Sequence, residues 1–304
     1  MKHLFGAASA VALTLACAAP AWAQGDSLKI GMTFQEMNNP YFVSMQEALM
    51  GAAEDLGAEV IVTDAGHDVA KQISDVEDML QQDIDILLLN PTDSAGIEAA
   101  VRMAKEQGVI VVAVDANANG PVDTFVGSKN RDAGYQSCKY LAEELGGEGD
   151  VAILDGIPVV PILERVEGCK EAFGEYAGIT LVDTQNGRQD RSVALGVVEN
   201  MIQSHQNLVG IFSVNDGGAM GALAAIQGSG RDIKLTSVDG APEAAEAIAR
   251  GTPFIETTAQ FPRDQVRVGL AMALAQKWGA RVVPSVVPID VMVVDAKNAA
   301  DFSW

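Results

Sequence analysis

The chain has 304 residues, 48% of them hydrophobic, with 41 Asp and Glu against 20 Lys and Arg for a formal charge of −21. That apolar share supports a packed core and excludes an intrinsically disordered chain. The acidity, with no run of Lys or Arg, excludes a phosphate-tracking nucleic-acid surface, and the length suggests about two domains.

Taken in chain order, the first segment does not read as part of the fold. Lys2 and His3 give a short basic start, residues 4–19 are apolar and uncharged, and Ala21-Trp22-Ala23 fits a small-x-small cleavage site. Residues 1–23 therefore read as a cleavable signal peptide with Gln24 as the mature start, and the product is expected in the periplasm. The apolar run is short of the ~20 residues that a membrane span needs. Thr14-Leu15-Ala16-Cys17 is a poor lipid-attachment box, kept as the lesser alternative. Removal of the signal leaves Cys138 and Cys169, each in an apparent amphipathic helix. Buried free thiols are the default reading, and a disulfide is the alternative that an oxidising compartment permits. His67 and His205 lie far from each other and from the cysteines in sequence, so no metal site is expected.

A strand–helix rhythm follows. Residues 28–34 (LKIGMTF) read as a strand, and 40–56 as a helix with Pro40 in its first turn and Gly57 as its stop. Residues 59–64 form the next strand, and Ile73, Val76 and Leu80 set a helical period in 69–82. The apolar runs 84–90 and 109–115 suit strands buried on both faces, with a helix at 96–107 between them. Further strands are expected at 124–128, 150–155, 179–184, 208–214, 233–239 and 253–259, with helices between them and a long helix at 262–278. Such alternation implies an α/β protein with parallel sheets and right-handed crossovers. So many strands fit two doubly wound lobes better than one sheet, with the second lobe beginning after the turn-rich 117–123.

In open α/β sheets, ligands sit beyond the carboxyl ends of the strands. Those positions hold Gln35, Glu36, Asn38, Asn39, Asn90, Asp115, Asp155, Asn215, Asp216, Asp239 and Gln260. Carboxylates accept hydrogen bonds, and carboxamides both donate and accept. The set suits a ligand made of hydroxyl groups, although any one such residue could be a cap or a turn. Only 5% of the chain is aromatic, so the adjacent Tyr41 and Phe42 at a strand-end loop stand out as a wall for a sugar ring. There is no G-x-G-x-x-G, no P-loop and no G-x-S-x-G elbow. Asp115 and Asp239 as a glycosidase carboxylate pair form the remote enzymatic alternative.

Several motifs resemble ribose-type (type I) periplasmic sugar-binding proteins of ABC importers. Gln35 to Phe42 (QEMNNPYF) is similar to their opening "NNPFF/NNPYF". Asn90-Pro91-Thr92-Asp93 resembles their "NPTD" turn, Val114-Asp115 their strand-end Asp, and Asn215-Asp216 with Met220-Gly221-Ala222 their "NDxMALGA" segment. Val238-Asp239-Gly240 resembles "xDG", and Thr258-Ala259-Gln260 resembles "TxxQ". The resemblance spans nearly the whole mature chain. It implies a monomer of two lobes, 24–128 plus 261–289 and 129–260 plus 290–304, joined by a three-crossing hinge. It implies that Asn39, Asp115, Asn215, Asp239 and Gln260 bond ligand hydroxyls, that Gln35 makes another contact, and that Tyr41 and Phe42 wall the ligand. The implied partners are a sugar or polyol and an inner-membrane ABC permease, with no cofactor; a chemotaxis or other sensory receptor is the alternative role.

Departures from the family pattern bear on specificity. Ala116 stands where the family carries Arg after its strand-end Asp. In the segment matching "R-x-R", Arg165 takes the second place and Leu163 the first, which is expected to face the ligand. Gln189 replaces the aromatic before the Asp190-Arg191 pair. Two lost cations at roughly 1.5–3 kcal/mol each are large beside the ~8 kcal/mol of a micromolar complex. Asp115 and Asp239 are then expected to lack arginine partners. The implied ligand is a pentose or short sugar alcohol, with an amino sugar or other cation as the next option.

Overall fold

The computed structural model describes residues 27–304, so the expected signal peptide and Cys17 lie outside the described residues. The elements, in chain order, are β1 (Lys29–Phe34), α1 (Pro40–Leu56), β2 (Glu59–Asp64), α2 (Val69–Leu80), β3 (Ile86–Leu89), α3 (Glu98–Glu106), β4 (Ile110–Val114), β5 (Thr124–Ser128), α4 (Asn130–Glu144), β6 (Glu148–Asp155), α5 (Val160–Gly174), β7 (Gly178–Asn186), α6 (Arg191–Ser204), β8 (Leu208–Ser213), α7 (Asp216–Ser229), β9 (Lys234–Asp239), α8 (Pro242–Ala249), β10 (Phe254–Ala259), α9 (Pro262–Lys277), β11 (Val286–Ile289) and β12 (Met292–Asp295).

The strands form two sheets, ordered β11-β5-β4-β3-β1-β2 and β12-β10-β9-β8-β6-β7. Each contains the same doubly wound order, with the second strand outside the first and the rest running the other way. All pairings are parallel except β12 against β10. Period-two geometry splits the buried strand β3 between two cores. Ile86 and Leu88 pack toward α1 and α9, while Leu87 and Leu89 pack in the cluster with α2 and α3 residues. Each fully buried side chain of this size contributes about 1.5–3 kcal/mol. A second pair of clusters covers the faces of the other sheet. The chain crosses between sheets three times, after β5, after β10 and between β11 and β12.

Local signals account for the helix starts. Asn39, Asp68, Asp190 and Asn215 each cap a helix through a side-chain oxygen, and Gly57 closes α1 in the left-handed region at φ 63°. The strands β11 and β12 are absent from the sequence expectation. They are four-residue edge strands with no helix after them, and β11 contains Pro288, which an edge tolerates.

The structure overturns the expectation of free thiols. Cys138 on α4 and Cys169 on α5 form a disulfide with Cα atoms 5.0 Å apart. The two helices touch backbone to backbone. A Cβ on Gly134 would sit 1.9 Å from Arg165 O, and one on Gly168 would sit 2.0 Å from Arg131 O. Cys138 follows Gly134 by one turn and Cys169 adjoins Gly168, so this approach brings the sulfurs together.

Candidate functional site between the two sheets

The carboxyl ends of both sheets converge on one narrow cleft lined mainly by polar side chains. Nine of the ten residues expected from sequence line it: Gln35, Asn39, Tyr41, Phe42, Asp115, Gln189, Asn215, Asp239 and Gln260. The tenth, Leu163, does not. It is 47% exposed on the outer face of α5, and the residue from this segment that enters the cleft is Arg165, which is 4% exposed. Two residues apart on a helix is about 200°, so only one of the pair can face inward. Arg165 shares its face with the buried Ile162, Val166 and Cys169, whereas Leu163 aligns with Glu167. That periodicity was the available signal.

Arg165 also corrects the expectation that Asp239 has no cation. Its Nη1 donates to Asp239 Oδ1 at 3.2 Å and to Val214 O at 2.8 Å, and its Nε donates to Asn130 Oδ1 at 2.9 Å. Only the cation at the position of Ala116, itself in the cleft wall, is missing.

The two acids are presented alike. Asp115 follows β4 with φ 69°, and Asp239 ends β9 with φ 143°. Non-glycine residues seldom hold such conformations, and each costs about 1–3 kcal/mol unless its surroundings fix it. Here a buried polar residue stands behind each acid. Asn90, on the loop after β3, accepts from Gln35 N at 3.1 Å. It donates to Val114 O at 3.2 Å and to Asp115 Oδ2 at 3.3 Å. Asp216, at the start of α7, accepts from Ser237 Oγ, from Thr257 Oγ1 at 2.8 Å and from Ala241 N at 2.6 Å. Its own N–H donates to Asp239 Oδ2 at 3.3 Å. Asp239 Oδ1 also accepts from Gln260 Nε2 at 2.8 Å. Asn90 and Asp216 were visible as strand-end residues, but their supporting role depends on tertiary contacts.

The carboxamides divide their bonding capacity. Asn39 and Asn215 spend Oδ1 on capping α1 and α7, at 3.0 Å from Tyr41 N and Gly218 N. Their Nδ2 groups are the donors left for the cleft, with Asn215 Nδ2 only 3.4 Å from Gln189 O. Gln189 itself holds a left-handed φ of 58°. Tyr41 and Phe42 meet edge to face with centroids 5.3 Å apart, and Val159, Pro161 and Ile162 close the opposite wall.

The electrostatic balance is acidic. Burial pushes Asp115 up to about 6, against the lowering effect of Arg165 and helped by the charge of Asp239. Burial and then the charge of Asp239 push Asp216 up to about 7. Asp239 is raised by burial, with Arg165 opposing it. A single lining cation thus faces two lining carboxylates, a formal charge of −1. Such a surface offers acceptors and a few donors to hydroxyl groups, and has little to hold an anion.

Two facing doubly wound lobes with a polar cleft at their strand ends define a periplasmic-binding-protein architecture, and the comparisons agree. The chain belongs to the family of the periplasmic binding protein domain, whose model matches residues 30–280. It is 38% identical over 251 residues to a ribose import binding protein of Bacillus subtilis, covering 80% of this chain and 81% of that protein. It is 29% identical to a xylitol-binding protein of Mycolicibacterium smegmatis, covering 97% and 85% of the two chains. Among solved structures, an ABC transporter solute-binding protein of Actinobacillus succinogenes with bound D-allose superposes with a TM-score of 0.86 at 30% identity, covering 91% of this chain and all of that one.

Proposed function

We propose that this protein is the substrate-binding component of a sugar-type ABC importer and takes a pentose or short sugar alcohol into the cleft. The observation that carries this reading is the pair Asp115 and Asp239. They come from different sheets, face one cleft in constrained backbone conformations and are surrounded by carboxamide donors. In this reading Asp115, Asp239, Gln35, Asn39, Asn215, Gln189 and Gln260 bond hydroxyl groups. Arg165 donates to a ring or chain oxygen, and Tyr41 and Phe42 cover a C–H face. Leu163 is left out. The reading is supported by relatives named for ribose import and for xylitol binding.

The lobes divide at 24–128 plus 261–289 and 129–260 plus 290–304, with β11 in one sheet and β12 in the other in support. Residues 1–23 direct export to the periplasm, and the monomer delivers its ligand to an inner-membrane permease. Ligand binding favours the closed form to the extent that it contacts both lobes at once. The net acidity of the cleft supports one second reading, an amino sugar whose ammonium group pairs with Asp115.

Thermal unfolding against pentoses, hexoses, tetritols, pentitols, hexitols and amino sugars tests both readings. A ligand at 100 times its Kd adds about 2.7 kcal/mol. A pentose or pentitol shift supports the first reading, an amino-sugar shift alone supports the second, and no shift from any of them refutes both.

A further inference from the structure

Trp304 lies outside the cleft lining, yet it touches both groups of residues that form the cleft. Its Nε1 donates to the backbone carbonyl of Asp239 at 3.0 Å. Gln260 N donates to the same oxygen at 3.0 Å, so both lone pairs of that carbonyl are used. The indole meets the Tyr41 ring edge to face, with centroids 5.8 Å apart and planes at 85°, and packs on the apolar cluster of the first sheet. Its near neighbour Phe302 packs instead with the core of the second sheet and against Gly240. Trp304 is thus anchored to one lobe through Phe302 and Asp239 and pressed against the other through Tyr41.

We propose that Trp304 is a positioning residue that favours the closed cleft, a strut carried by the second lobe and seated on the ligand-facing Tyr41 of the first. The inference builds on the binding cleft proposed above. Because the anchor and the seat belong to different lobes, the aromatic contact exists only while the lobes are close. Its free energy therefore shifts the balance between open and closed forms. The indole N–H, donating to the Asp239 carbonyl, fixes the ring orientation. Trp304 does not reach the ligand, so it strengthens the binding of every ligand that needs closure by the same factor.

The first test needs no ligand. Small-angle X-ray scattering of the ligand-free protein should give a larger radius of gyration for Trp304→Ala than for the unmodified chain. Trp304→Phe keeps an aromatic edge on Tyr41 and should lie between them, and it serves if the alanine variant folds poorly. Superimposable profiles for all three overturn the proposal. The second test is calorimetric titration with D-ribose and with xylitol. Loss of an edge-to-face pair predicts that Trp304→Ala raises the Kd of whichever binds by about three- to tenfold, equally if both do. Unchanged or unequal Kd values overturn the strut. If neither compound binds the unmodified protein, D-ribose and xylitol are excluded as its ligands, and the scattering comparison still decides the role of Trp304.

Discussion

Arg165→Met should be among the most damaging single changes near the cleft, and its cost should depend on pH. The guanidinium makes three hydrogen bonds to acceptors on three segments, Asn130 Oδ1, Val214 O and Asp239 Oδ1. The paired side chains of Arg165 and Asp239 are only 5% and 11% exposed, so solvent screens the pair weakly. Removing one partner of a buried ion pair costs about 3–5 kcal/mol, because the remaining charge is stranded. Met preserves most of the aliphatic stem, so the loss reports the charge and its bonds. Without Arg165, the main influence holding the Asp239 carboxyl down is gone, and burial moves it further above its ordinary range. A carboxyl raised in the folded state takes up protons on folding, so its presence disfavours the folded form increasingly as pH rises. The variant's deficit should therefore be largest at pH 8 and smaller at pH 5, where Asp239 is closer to neutral. Urea unfolding of both proteins at the two pH values measures this, and Arg165→Met with Asp239→Asn should recover part of the loss. A deficit under about 1 kcal/mol at pH 8, or one that does not vary with pH, would refute the reasoning.

Glu256 gives a second pH prediction. Ser137 Oγ lies 2.8 Å from Glu256 Oε2 and 3.0 Å from Ser237 O. It has one proton to give, so both contacts are satisfied only when Glu256 carries a proton and donates to Ser137. Burial pushes this carboxyl up to about 8. Stability should thus fall as pH rises from 5 to 8, and Glu256→Gln should match the unmodified protein at pH 5 and exceed it at pH 8 in chemical denaturation. Cys138→Ser with Cys169→Ser should cost about 3–4 kcal/mol for a loop of this length, read as a lower unfolding midpoint; a loss under 1 kcal/mol would mean that glycine packing alone holds α4 to α5. Ala116→Arg should return the Asp115 carboxyl toward its ordinary range and raise affinity for D-ribose relative to xylitol, measured by calorimetry; no relative gain would remove Ala116 from the specificity account.

Much of this molecule can be read from its sequence because the signals are local. Continuous apolar runs such as 86–89, caps such as Asn39 and Asp190, and the stop at Gly57 act within a few residues, so strands and helices can be located one at a time. Strand ends can then be located as well, which is how Gln35, Asn39, Asp115, Asn215, Asp239 and Gln260 are found without coordinates; Tyr41 and Phe42 stand out as adjacent aromatics, and Gln189 comes from the family resemblance. The remaining features depend on distances between segments far apart in the chain. The apolar period of α5 points Arg165 inward, but its partners Asn130, Val214 and Asp239 come from three distant segments. The pairing of Cys138 with Cys169 depends on two glycines allowing backbone contact. The strands β11 and β12 exist because the edges of the two sheets are there to pair with. Trp304 reads as an unremarkable aromatic until the fold sets its indole N–H on a carbonyl 65 residues away. Local preferences lay out the elements and the row of polar strand ends. Long-range packing decides which side chains lie within hydrogen-bonding distance, because that distance is set by how closely whole helices and sheets approach.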